Sequence, residues 1–97
     1  MTFDQFKESI SQSNPPDDLS QPLQAMWWAA KNEWDTAHDL IQPLSDGHSI
    51  RIHGYLHRQE GDRGNAAYWY SRNGMALPDN TLEEEWAEIV SILLQAN

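Results

Sequence analysis

The chain contains no cysteine. Disulfides and thiolate metal sites are therefore excluded. Cations are scarce: six Lys and Arg stand against 15 Asp and Glu, for a formal net charge of −9. Such a surface repels phosphate backbones and anionic lipid headgroups, and no basic stripe offsets it. No nucleic-acid partner and no membrane partner is expected. No apolar run approaches the ~18 residues that a membrane-spanning helix needs. Residues Met1 to Ile10 include Asp4 and Glu8 and have no signal-like apolar region, so a cytoplasmic protein is expected. No Gly-x-x-x-x-Gly-Lys phosphate loop and no nucleophile elbow occurs around Ser45, Ser49 or Ser71.

What is present is aromatic. Five of the 97 residues are Trp, and hydrophobic residues make up 39%. That is enough for one small domain with one core. Apolar spacing predicts about six short helices and no convincing strand, an all-α fold. Thr2 caps a first helix carrying Phe3, Phe6 and Ile10, and the Pro15-Pro16 loop follows (1–19 together). Ser20 caps a second helix with Pro22 in its first turn, where a missing amide proton is harmless. It pairs with a third, Trp34 to about Gln42, to make a hairpin over 20–44. Trp27 and Trp28 differ by about 100° around the axis, so they cannot fill the same pocket. Asp46-Gly47 reads as a turn, and Ser49 to His53 alternates and could be strand or helix. A second hairpin covers 47–78. Over 80–97, Thr81 or Asn80 caps a last helix with Leu82, Trp86, Ile89, Val90 and Leu93 as its apolar stripe. Glu83, Glu84 and Glu85 lie in its first turn, where the helix dipole favours negative charge.

The stretch from His53 to Gly74 organises the rest. Ile50, Gly54, His57 and Gly61 form one helical stripe, and Gly54 lets a second helix approach closely. Gly61 and Asp62 break the helix and cap the next. Ala66, Ala67, Tyr70 and Asn73 form the facing stripe, Gly74 stops it, and Pro78 forbids continuation. Gly54, Gly61, Ala66, Tyr70 and Pro78 resemble a tetratricopeptide helix-turn-helix unit. An upstream copy, with Ala25, Asn32 and Ala37 in place of Gly54, Gly61 and Ala66, is shifted by roughly 29 residues, shorter than the ideal repeat. The chain also resembles small uncharacterised bacterial proteins with a Trp-Trp-x-x-Lys-x-x-Trp segment, here Trp27, Trp28, Lys31 and Trp34. Those proteins share a later His-x-x-x-His-x-x-Glu-Gly-Asp segment, here His53, His57, Glu60, Gly61 and Asp62. The likeness bears on fold and carries no activity. The repeat register implies a last helix that caps the open face of the second hairpin.

One polar group could carry chemistry. His53 and His57 are four apart and share a helix face, and Glu60 is three beyond. Such a pair can bind one ion from adjacent turns, with a carboxylate as third ligand. The repeat register implies that His53 and His57 point inward and that His38 faces the next hairpin, so His38, His53, His57 and Glu60 are the candidate metal ligands. The competing reading is a set of buried rings hydrogen-bonded to backbone, Asp or Tyr. The zinc-protease signature needs a Glu directly after the first His, where this chain has Gly54. A buried histidine cluster without metal would still respond to pH near 6–7. The Tyr68-Trp69-Tyr70 run points in three directions on a helix, which suits packing rather than a stacking platform.

Two functional readings follow. The first is a non-enzymatic interaction or scaffold module. Its concave face would be lined by His48, Arg51, Tyr55, Arg58 and Gln59 and would take a protein or peptide partner, unless a flanking helix fills it. Homo-oligomerisation through Trp27 or Trp69 is a variant. No cofactor is expected on this reading. The second is a small metal-binding protein or enzyme with a divalent ion held between the hairpins.

Overall fold

The computed structural model describes residues 1–95, and among them there are six α-helices and no strand. The elements are α1 (Phe3–Ser9), α2 (Gln21–Ala30), α3 (Trp34–Ile41), α4 (Gly47–Gln59), α5 (Arg63–Arg72) and α6 (Leu82–Gln95). The all-α expectation holds. Positions 96 and 97 of the expected capping helix lie outside the described residues. No described helix is long and apolar enough to cross a membrane.

Local chemistry explains most boundaries. Thr2 and Gln5 exchange side-chain and backbone hydrogen bonds in a capping box at the start of α1. Ser20 accepts from Leu23 N at 3.4 Å, and Pro22 sits in the first turn of α2. Thr81 and Glu84 form the corresponding box at α6. Asn80 serves elsewhere: its Oδ1 accepts from Arg58 Nη1 and its Nδ2 donates to Glu88. Asp46-Gly47 is a helix start, correcting the turn reading. Asp46 accepts from Ser49 N at 3.2 Å and from Ser49 Oγ at 2.6 Å, and Gly47 is the first helical residue. The alternating Ser49 to His53 stretch is helical for the same reason.

The helices form two hairpins, α2 with α3 and α4 with α5. Their turns match: Asn32 takes φ 60° and Gly61 takes φ 89°, the left-handed conformation at equivalent places. In the second hairpin the closeness depends on Gly54. A Cβ built there would lie 3.0 Å from Tyr70 Cδ2 and Cε2. Tyr70 is fully buried and its hydroxyl donates to Glu85, so the ring has little freedom to retreat. Gly54→Ala therefore sets a helix-propensity gain of about 1 kcal/mol against an overpacking cost of about 1–3 kcal/mol. We expect a net loss, read as a lower urea midpoint at unchanged slope. A neutral or stabilised variant would mean that Tyr70 moves aside freely.

Trp27 is completely buried and donates from Nε1 to Ser9 Oγ at 3.0 Å, so it stitches α2 to α1. It therefore cannot serve as an exposed oligomerisation residue. Trp28 is only partly buried, and the two indoles meet edge-on, 4.9 Å apart. The α6 helix closes the fold. Its Trp86 packs on Phe3 and Phe6 and donates to Met26 O at 2.9 Å.

The α4 face read as concave is filled around Arg51, Tyr55 and Arg58 by the flanking α6 helix, while His48 stays exposed. Glu85, fully buried, accepts from Arg51 Nε at 3.3 Å, from Arg58 Nη1 at 2.7 Å and from the Tyr70 hydroxyl. Arg58 also donates to the Asn80 side chain and backbone carbonyl. Burial pushes the Tyr55 hydroxyl up to about 12, helped by nearby Glu85. Burial and the Glu85 hydrogen bond likewise push Tyr70 well above the usual range. Burial alone would lower the Arg58 pKa, but its bond to Glu85 raises it on balance.

Candidate metal centre

The three histidines come from both hairpins. His38 lies on α3, and His53 and His57 are one turn apart on α4. Where α3 crosses α4, one ring nitrogen from each of the three falls within 4.8 Å of the other two. His53 and His57 are 6% and 7% exposed, and His38 is partly buried. The ring centroids are 4.8 Å apart for His38 and His53, 5.0 Å for His53 and His57, and 5.6 Å for His38 and His57.

Two tryptophans wall the group. Trp34 stacks on His38 at 4.7 Å and is itself fixed by donating from Nε1 to Leu56 O at 2.7 Å. Trp69 stacks on His53 at 3.8 Å, with the Arg72 guanidinium 4.9 Å from the Trp69 centroid. These indoles hold the imidazole planes and keep water from much of the cluster. The apparent waste of a half-buried Trp69 beside the exposed Tyr68 is explained by this role.

Proton positions follow from the contacts. Glu60 Oε2 lies 2.6 Å from His57 Nδ1. With the carboxylate accepting, Nδ1 carries the proton and the Nε2 lone pair of a neutral ring is left free. This carboxylate–histidine pairing orients metal-ligating rings. Glu60 thus supports His57 from its far side instead of joining the three-histidine group. A second set shares the buried His57 and adds the exposed Glu60 and Asp62. His38 Nε2 and His53 Nε2 are 3.1 Å apart, so in a neutral pair one ring donates and the other accepts. Burial, with the nearby His38, His57 and Arg72, pulls the His53 pKa down from 6.5 to about 4. His53 is therefore a neutral imidazole with a lone pair at physiological pH.

The expected partner-face residues lie apart from this centre. Arg51 and Arg58 are bound to Glu85, and Tyr55 is 3% exposed. Gln59 Nε2 donates to Ala29 O at 3.0 Å, and His48 is exposed near the start of α4. Sequence reasoning missed Trp34 and Trp69 as walls of the histidine group. The available signal was spacing: Trp34 is four residues before His38 on one helix face. Compared with protein-family models, curated proteins and solved structures, the chain matches none.

Proposed function

We propose that this protein binds one divalent transition-metal ion between its hairpins, through His38, His53 and His57. The observation that carries the reading is the convergence of three mostly buried imidazoles from two hairpins. A tetrahedral ion with metal–nitrogen bonds of about 2.0–2.1 Å holds its donors roughly 3.3 Å apart. The 3.1 Å separation of His38 and His53 Nε2 is already close to that. The ion would take the place of the proton shared between those rings. All three donors are neutral nitrogens, a set that suits Zn, Cu, Ni or Fe over Mg or Ca. Glu60 would orient His57, and Trp34 and Trp69 would hold the other rings.

The pair of similar hairpins with left-handed turns is in keeping with a tetratricopeptide-like relationship. A scaffold role through the α4 face has less support, because α6 occupies that face. A protein partner or a second copy would have to use another surface, such as the one bearing the exposed Tyr68 or Ile92.

The test is the metal content of untagged protein and its melting temperature with zinc and with chelator. Ligand at a hundredfold excess over Kd stabilises by about 2.7 kcal/mol. In a chain of this size that raises Tm by roughly 10–20 °C. His53→Ala should abolish the zinc response while the far-ultraviolet helical signal survives. Absence of any shift in the parent protein, with no co-purified metal, would leave the cluster as a structural one. In that case His57→Leu should be tolerated or stabilising.

A further inference from the structure

The charge around the three histidines bears on which ion they would hold. Among the described residues no carboxylate belongs to the three-histidine group. Glu60 reaches it through His57 Nδ1, at 2.6 Å. Against Glu60 stands Arg72, whose guanidinium lies 4.9 Å from the centroid of Trp69, the indole stacked on His53. These two charges offset each other, so together they leave the charge of a bound ion uncompensated. His53 and His57 are 6% and 7% exposed, so water screens that charge poorly. An unpaired buried charge is costly, and a dication costs far more than a monocation.

The number of donors points the same way. Zinc takes four ligands, with a water in the fourth place when the protein gives three. Cu(II) prefers four donors in a tetragonal plane. Here each of three histidines offers one ring nitrogen within 4.8 Å of the other two. Trp34 and Trp69 stack on His38 and His53 and hinder a solvent molecule from completing the set. An apolar shell of this kind limits solvent access and favours the less charged state of a redox metal. Cu(I) has a filled d shell and binds well to three nitrogens. Of the ions that suit imidazole, copper alone has a readily reached monovalent form.

We propose that the ion is copper, and that the charge and coordination of this site hold it as Cu(I). The inference rests on the metal reading above and narrows it to one element. Copper that arrives divalent would accept one electron from a small reductant such as ascorbate and stay bound as Cu(I). The reductant is oxidised by that electron, and no covalent bond of the protein forms or breaks.

The experiment is an anaerobic competition on untagged, metal-stripped protein, with a chromophoric chelator for each of Cu(I), Cu(II) and Zn(II). We expect one Cu(I) per chain, bound about a hundredfold more tightly than Zn(II) or Cu(II). His38→Gln, at a partly buried position, should weaken Cu(I) about a hundredfold while circular dichroism shows the helices intact. Arg72 is exposed, so Arg72→Gln should fold. Its guanidinium repels a dication twice as strongly as a monocation, so its removal should narrow the Cu(I)-to-Zn(II) preference about threefold. A preference unmoved by Arg72→Gln would overturn local charge as the selecting force. Zn(II) binding as tightly as Cu(I) would overturn the copper assignment and leave the metal reading standing. Cu(I) affinity unmoved by His38→Gln would overturn it too, by placing the copper elsewhere, such as on methionine sulfurs. No binding of any of the three ions would overturn this inference and the metal reading together.

Discussion

Glu85→Ala should cost this protein about 3–5 kcal/mol, the usual penalty for removing one partner of a buried charge network. The side chain is completely buried and holds Arg51, Arg58 and Tyr70 at once. Without it two guanidinium groups remain largely covered, 15% and 8% exposed at the side chain, with much of their counter-charge gone. Arg58 would keep Asn80 and Arg51 would keep the exposed Glu88. Small domains have a total stability of about 5–15 kcal/mol, so the variant should lose between about a fifth and all of it. Urea titration followed by tryptophan fluorescence measures this directly. A loss below about 1 kcal/mol would mean that water reaches both arginines easily. Replacing the whole set with apolar residues of similar volume could be neutral, which separates the cost of breaking the network from its net worth.

Acidification should destabilise the metal-free protein through His53. Its folded pKa is about 4, below the ordinary 6.5. Between those values the unfolded chain binds the proton and the folded chain resists it, so stability rises with pH across this window. The contribution is fully present above pH 6.5 and is lost as pH falls through 4. A shift of that size corresponds to something on the order of 3 kcal/mol. Urea midpoints at pH 7, 5.5 and 4.5 should fall progressively. In His53→Leu the portion of the fall due to this residue should vanish. Equal pH dependence in parent and variant would assign the acid sensitivity to other groups.

Helix existence was legible because the apolar stripes repeat at helical spacing and because Thr2, Ser20, Asp62 and Thr81 are effective caps. Asp46-Gly47 was misread because the same dipeptide serves a turn and a helix start. The side chain of Asp46 bonds forward to Ser49, and only three-dimensional context selects that bond. The histidine group was legible in part. Four-residue spacing puts His53 and His57 together, but bringing His38 to them depends on how α3 crosses α4. The Glu85 network was missed, although its trace is present. Glu85 lies three residues after Leu82 and four before Ile89, within the apolar stripe of α6. Arg51 and Arg58 are seven apart on one face of α4. Read separately, an acidic first turn suits the helix dipole and two arginines suit an open face. Only their pairing shows that the face is closed.

Trp86 has a consequence for how the molecule comes apart. Helical repeat arrays are held by neighbour-to-neighbour contacts and can fray from one end. Here one indole joins α6 to both phenylalanines of α1 and to a carbonyl of α2 sixty residues earlier in the chain. The first and last helices thus lock each other in place across the two hairpins. The first hairpin cannot open without disturbing that clasp, and the second is tied to the same α6 helix through Glu85. Hydrogen exchange should therefore show the slowest amides of α2, α4 and α6 opening together, with one free energy equal to that of global unfolding.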